Sequence, residues 1–329
     1  MRYTACGLTL TANASIAGLA PGPADTAADV SVALHGGEPL PCTHPSDRTW
    51  YVYPEADERG TPWLEAATGE DGSRWLRYGE GAVFRVDATA QRVDAWWQLP
   101  LTEVDAATYL LGPVLAFIMR LRGLVPLHAS GVAIDGRAVL FAGSPGAGKS
   151  STAAAFASLG FPVLSDDVVP MQPLAAGTLA WPGYPRLSLW GDAAEALFGD
   201  ECLPPYSATY TKQYLDLGGV RRPFQSTPLP VGVVFVLDAA GDADPGIRPL
   251  APRDAVVALL RHTFGTYLID MGLRAREFEV LAGMVAAVPV WRLRFGTALG
   301  DITRQCLTVA DHVRHTIYHG ARPEAGLAV

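Results

Sequence analysis

Gly143-Ser144-Pro145-Gly146-Ala147-Gly148-Lys149-Ser150 is a complete G-x-x-x-x-G-K-[ST] run, the spacing a phosphate-binding loop needs. Glycines leave backbone N–H groups free to turn inward on an anion, and Lys149 supplies a compact charge for the β- and γ-phosphates of a nucleotide. The Ser150 hydroxyl can hold Mg²⁺, and Ser151 continues the run as a further nucleotide contact. Further along stand Asp166 and Asp167, adjacent carboxylates that need compensating charge, which Mg²⁺ and Lys149 would provide. Upstream stands His128. Together these residues have the composition for phosphoryl transfer from ATP with Mg²⁺.

The flanking sequence supplies the elements to position them. Ala138-Val139-Leu140-Phe141-Ala142 reads as a buried strand leading into the loop, and Ser151 to Leu159 as an alanine-rich helix with its positive dipole end toward the phosphates. A glycine-rich turn matching by accident would lack this context. Asp135-Gly136 is a two-residue hairpin turn. Counting outward pairs Ile134 with Arg137, Val132 with Val139, Ser130 with Phe141 and His128 with Gly143, which delivers His128 to the mouth of the loop. Phe161-Pro162-Val163-Leu164 reads as the next strand. A right-handed crossover makes it a parallel neighbour of the loop strand, with Asp166 and Asp167 on the same edge as the phosphates. Asp238, at the end of Val233 to Leu237, is a rival metal ligand. The short crossover favours Asp166 and Asp167.

A chain of 329 residues is long for one core and suits two domains, since single cores stop growing at about 250–300 residues. We read a β-rich N-terminal domain over 1–100, a connecting helix over 101–123 and a P-loop domain over 124–329. A hydrophobic content of 49% excludes disorder, and a net charge of −8 argues against a general nucleic-acid or membrane-surface binder. No signal peptide is evident, and the apolar run Ala106 to Met119 is too short to span a bilayer, so a cytoplasmic protein is expected. The four cysteines lack metal or disulfide spacing. His312, His315 and His319 could share a helix face, but a solvated tail helix explains them without a metal.

Residues 1–100 carry short alternating runs and five of the eight tryptophans. Tryptophans packing a small β-core explain this more simply than a recognition platform. Thr102 with Asp105 marks a helix start, and Gly112-Pro113 a kink. Only two of the 25 basic residues are lysines, Lys149 and Lys212. Either a compact ammonium is needed at Lys212 or one lysine has survived by chance in an Arg-biased chain. It lies in an irregular stretch, 203–224, that could form a lid. Arg186 is a candidate phosphate contact. Helices are expected over Asp192–Phe198, Pro252–Phe264, Leu273–Val288 and Asp301–His315.

His128, the run Gly143 to Ser150 and the pair Asp166-Asp167 resemble, in that order, the catalytic domain of HPr kinase/phosphorylase. The resemblance is close over 125–170 and loose over 125–310. It implies an α/β fold in which an HPr-kinase-like P-loop domain follows a smaller β-rich N-terminal domain. It also implies Asp166 as base toward a serine hydroxyl, Asp167 and Ser150 toward Mg²⁺, His128 assisting proton movement, and a homo-oligomer. The E-[IV]-R-G-x-G signature of the family is missing, and Pro182-Gly183-Tyr184-Pro185-Arg186 stands in its place. The layout is more similar to the HPr-kinase-related proteins of peptide natural-product clusters, some of which phosphorylate a serine of a lasso-type precursor peptide. The expected activity is therefore an ATP-dependent kinase acting on a peptide or small protein. The alternatives are a kinase for HPr or a small molecule, and a nucleotide-binding regulatory module that transfers no phosphate.

Overall fold

The computed structural model describes residues 1–23, 27–42, 48–199, 201–205, 211–238, 244–296 and 299–319. The chain is mixed α/β and divides into two compact units, Met1–Gly123 with Gly265–Asp270, and Leu124–Phe264 with Met271–Val329.

The first unit contains β1 (Arg2–Ala5), β2 (Leu8–Ala12), β3 (Val30–Gly36), β4 (Arg48–Val52), β5 (Leu64–Thr68), β6 (Arg74–Tyr78), β7 (Ala82–Val86) and β8 (Arg92–Trp97). They make one eight-stranded sheet ordered β1-β2-β3-β8-β7-β6-β5-β4. The pairs β2–β3 and β3–β8 are parallel. Alternation gives the inner face Leu76, Phe84 and Val93, all fully buried. Trp75 and Trp96 fall on the other phase. Trp75 and Trp96 stack at 6.1 Å, His35 joins Trp96 at 4.9 Å, and the Arg77 guanidinium lies 4.9 Å over Trp75. They stand on the sheet's face, half-buried, rather than inside its core.

Against the inner face lie α1 (Glu103–Tyr109), a π-helical turn (Leu110–Val114) and α2 (Leu115–Leu121). Thr102 and Asp105 form a reciprocal capping box, and the turn kinks at Gly112-Pro113. Glu103–Leu121 is a 19-residue segment long and apolar enough to cross a membrane, and 67% of its most apolar 18-residue window is buried in the fold. It belongs to the first unit. The segment Gly265–Asp270 joins this unit through Tyr267, which stacks on Tyr51 at 5.4 Å.

In the second unit, β9 (Val125–Leu127), β10 (Ala129–Ile134), β11 (Arg137–Gly143), α3 (Lys149–Ser158), β12 (Val163–Ser165), β13 (Val169–Leu174) and β14 (Gly177–Ala180) come first. Then come β15 (Arg186–Leu189), α4 (Gly191–Phe198), β16 (Gln213–Asp216), β17 (Leu229–Leu237) and β18 (Gly246–Pro249). Last are α5 (Pro252–Arg261), α6 (Met271–Ala287), β19 (Val290–Arg294) and α7 (Ile302–His319). The main sheet runs β12-β10-β11-β17-β14-β13-β9, with β19 on β17 and β18 on β19. β15 and β16 form a separate two-stranded strap, so the stretch around Lys212 is partly strand; residues 206–210 of it lie outside the described residues.

Asp135 and Gly136 both adopt positive φ, +47° and +75°, as a tight turn of this kind needs. The ladder pairs Ile134 with Arg137, Val132 with Val139 and Ser130 with Phe141. It ends at Ala129 with Ala142, short of His128. The expected adjacency of β12 and β11 does not occur. β10 already covers that edge of β11, so β12 pairs antiparallel with β10, and the parallel neighbour of β11 is β17. Two antiparallel steps still leave β12 running in the same direction as β11, so their carboxyl ends share an edge.

Phe141, Phe156 and Phe235 stack at 5.5 Å on the α3 and α7 side of the sheet. Each ring, fully buried, contributes about 1.5–3 kcal/mol. α7 is no solvated tail. Val309, Ala310 and Val313 are fully buried, and His312 packs edge-on against Trp291 at 4.4 Å.

Candidate phosphate-loop site

The loop conforms to its glycines. Gly146 and Gly148 take φ of +80° and +91°, which only glycine adopts without strain. A Cβ on Gly143 would stand 3.0 Å from the Ala147 Cβ and 3.2 Å from the Leu237 Cβ. Gly148 caps α3 and offers no side chain to its N–H groups, which leaves them for an anion at the positive end of the helix dipole. The buried Lys149 Nζ donates to the carbonyls of Gly143 at 2.9 Å and Ser144 at 3.1 Å. Burial lowers its pKa, Asp167 and Asp166 oppose this, and Lys212 adds to it.

The two aspartates take different environments. Asp166 is buried, and its Oδ1 accepts from the hydroxyls of Ser130 at 2.7 Å and Ser150 at 2.9 Å, while its Oδ2 accepts from the Ser188 amide at 3.0 Å. Burial, then the charge of Asp167, raises its pKa, and these three hydrogen bonds hold it back. Asp167 is 54% exposed at its side chain, with Oδ1 3.2 Å from His128 Nε2. Its φ of +67° is strained for a non-glycine residue, and such strain collects at functional sites. Desolvation raises its pKa, but the His128 hydrogen bond and the charges of His128, Lys212 and Lys149 outweigh it and hold the carboxyl below its ordinary range.

His128 sits at the bend where β9 leaves for β13 and β10 turns back to β11. Its amide donates to the His262 carbonyl at 2.7 Å, and its ring meets Phe264 edge-on at 5.3 Å. Burial lowers the His262 pKa, with Lys149, His128 and Arg261 contributing.

Thus the fold brings together Gly143 to Ser151, His128, Asp166 and Asp167. The hydrogen bonds reverse the division of labour expected for the pair: Asp166, not Asp167, meets Ser150, and Asp167, not Asp166, meets His128. Asp238 is engaged by Arg292 at 3.3 Å and Arg294 at 2.9 Å. Arg186 pairs with Asp216 at 2.8 Å and lies 4.2 Å over Tyr214, so its charge is engaged within the strap. Lys212 lies 5.2 Å over the Trp190 ring, and its charge is felt at Lys149 and Asp167. Among the described residues no His, Cys, Asp or Glu cluster could hold a metal by itself. The Ser150 hydroxyl and Asp166 carboxylate do fit Mg²⁺, a hard cation that takes one or two protein oxygens beside nucleotide phosphates. Sequence reading missed Ser130, Ser188, His262 and Phe264. The hairpin register gave a signal for Ser130, which lies two residues along the strand from His128.

No family model matches the chain, and no curated protein matches it. Among solved structures, the Hpr(Ser) kinase/phosphatase from Coxiella burnetii is similar over 58% of this chain and 94% of its own, at 15% identity and a TM-score of 0.29, too low to equate the folds.

Proposed function

We propose that the chain is an ATP-dependent kinase that passes the γ-phosphate to a hydroxyl, a serine of a peptide or small protein, of which a lasso-type precursor peptide is the specific case to test. The observation that carries this reading is the partition of the aspartates. Ser150 and Asp166 form an oxygen pair suited to Mg²⁺, while Asp167 stands in the open beside His128. A module that only held nucleotide would need the first pair and not the second.

In this reading the backbone amides of Gly146, Gly148 and Lys149 and the Lys149 ammonium hold the phosphates, and Lys149 leaves its carbonyl partners to do so. Mg²⁺, when bound, neutralises charge on the β- and γ-oxygens. Ser130 and the Ser188 amide fix Asp166 so that one carboxylate edge meets Ser150. Asp167 takes the proton of the attacking hydroxyl, and His128 orients that carboxylate and stabilises its charge. A cytoplasmic setting, a homo-oligomer and the absence of nucleic-acid or membrane partners belong to the same proposal, supported by the net charge of −8 and the resemblance to HPr kinase/phosphorylase. The test is incubation with labelled ATP, Mg²⁺ and serine peptides, including a lasso-type precursor, then mass spectrometry of the peptides. ATP consumed with no phosphate on any hydroxyl would end the reading.

A further inference from the structure

The strap of β15 and β16 runs up to the site. Ser188 on β15 donates its amide to Asp166 at 3.0 Å, and Trp190 comes two residues later, roughly 7 Å along the strand at about 3.3 Å per residue. Leu187 and Leu189 are buried in the core, yet Trp190 is 46% exposed. Gly191, which follows it, has open space where a Cβ would stand. Gln213 pairs with Leu189, which puts the preceding Lys212 at the same end of the strap, with its ammonium 5.2 Å from the Trp190 ring centroid. The Ser188 amide on Asp166, two residues before Trp190, sets the pair beside the reacting end of the site.

An apolar ring and a cation on a flexible stem suit the acceptor at that position. A purine would lie toward the other end of a bound nucleotide, whereas Asp166 and Ser150 mark the γ-phosphate end. A cation–π contact at an exposed ring is weak beside a charge-assisted hydrogen bond to phosphate, so Lys212 can exchange one for the other.

We propose that Trp190 and Lys212 form the acceptor wall of the site: the indole takes an aromatic or aliphatic side chain adjacent to the serine of a peptide, and the lysine meets the phosphoryl oxygens as they pass to that serine. This rests on the kinase reading of the phosphate-loop site. The bond between the γ-phosphorus and the β–γ bridging oxygen breaks, and its electron pair leaves with ADP. The bond from the serine oxygen to the γ-phosphorus forms, and the serine proton goes to Asp167.

The experiment uses the full chain and short synthetic peptides with a single serine flanked by Phe, Ala or Asp. Acceptor kinetics are measured for the parent, Trp190→Ala and Trp190→Phe, with ADP·Mg²⁺ affinity by calorimetry on each protein. The parent should show an acceptor KM about tenfold lower for the Phe peptide than for the Ala peptide. Trp190→Ala should erase that difference and Trp190→Phe keep most of it, with ADP affinity unchanged within about twofold. Peptides phosphorylated without flank preference, or ADP affinity falling in Trp190→Ala as much as the acceptor KM rises, would overturn the inference and leave the kinase reading intact. ADP bound normally with no peptide phosphorylated would overturn the peptide-kinase reading and the inference with it.

Discussion

Replacing each aspartate by asparagine separates metal binding from proton transfer. In Asp166→Asn, the amide can turn its NH₂ to the hydroxyls of Ser130 and Ser150, which rotate to accept, and keep its carbonyl on the Ser188 amide. The fully buried Ser130 hydroxyl then loses the acceptor for its own O–H, so the fold should lose about 1–3 kcal/mol. The Ser150 oxygen, however, now accepts from the amide, and the negative charge facing the metal is gone. ADP affinity should therefore stop responding to Mg²⁺, and affinity in its presence should fall about tenfold or more, equivalent to about 1.4 kcal/mol. Asp167→Asn should leave that affinity near the parent's, because Asp167 meets His128 and not Ser150, while turnover falls about 10²- to 10⁴-fold. Calorimetry with and without Mg²⁺, beside turnover on the same preparations, reads both. The reverse pattern, Mg²⁺ response lost in Asp167→Asn and kept in Asp166→Asn, would refute the assignment and restore the order expected from sequence.

Lys149→Ala removes the charge that would meet the transferring phosphoryl group and should lower turnover at least about 10²-fold; activity within about threefold of the parent would show that the loop is not catalytic. His128→Asn should move the acidic limb of the kcat/KM profile upward. Asp167 is held below its ordinary pKa by His128, so without the imidazole the carboxylate protonates at higher pH and the active form is lost sooner on acidification; an unmoved limb would contradict this. His312 is buried with neither ring nitrogen hydrogen-bonded among the described residues, and burial, with His315, lowers its pKa. A depressed histidine gives stability that is whole above its unfolded pKa of about 6.5 and lost as pH falls below it. His312→Phe should narrow the gap between Tm at neutral and mildly acidic pH.

The loop, the hairpin and the convergence of His128, Asp166 and Asp167 on the loop were legible because the turn and the loop are encoded locally: glycines for positive φ, Asp-Gly for the turn, strand then helix around the lysine. What was not legible depended on pairing at a distance. The place of β12 outside β10 comes from a hairpin filling one edge of β11, which a rule about successive strands cannot anticipate. The roles of Asp166 and Asp167 depend on which carboxylate faces Ser150, and that is set by the positive φ of Asp167 and by Ser130 and Ser188, distant in sequence. The engagement of Asp238 by Arg292 and Arg294 likewise needed β19 to pair with β17. Trp75 and Trp96 share their phase with the charged Arg77 and Arg85, which could have placed them on the open face.

Phosphate transfer itself is the decisive observation. Incubated with ATP labelled at the γ-position, Mg²⁺ and a serine peptide, the parent protein should place one labelled phosphate on the serine, mapped by fragmentation in the mass spectrometer, and Asp167→Asn should place almost none while binding ADP as the parent does. Label found only as free phosphate, or transfer to the serine equal in the two proteins, would contradict the account.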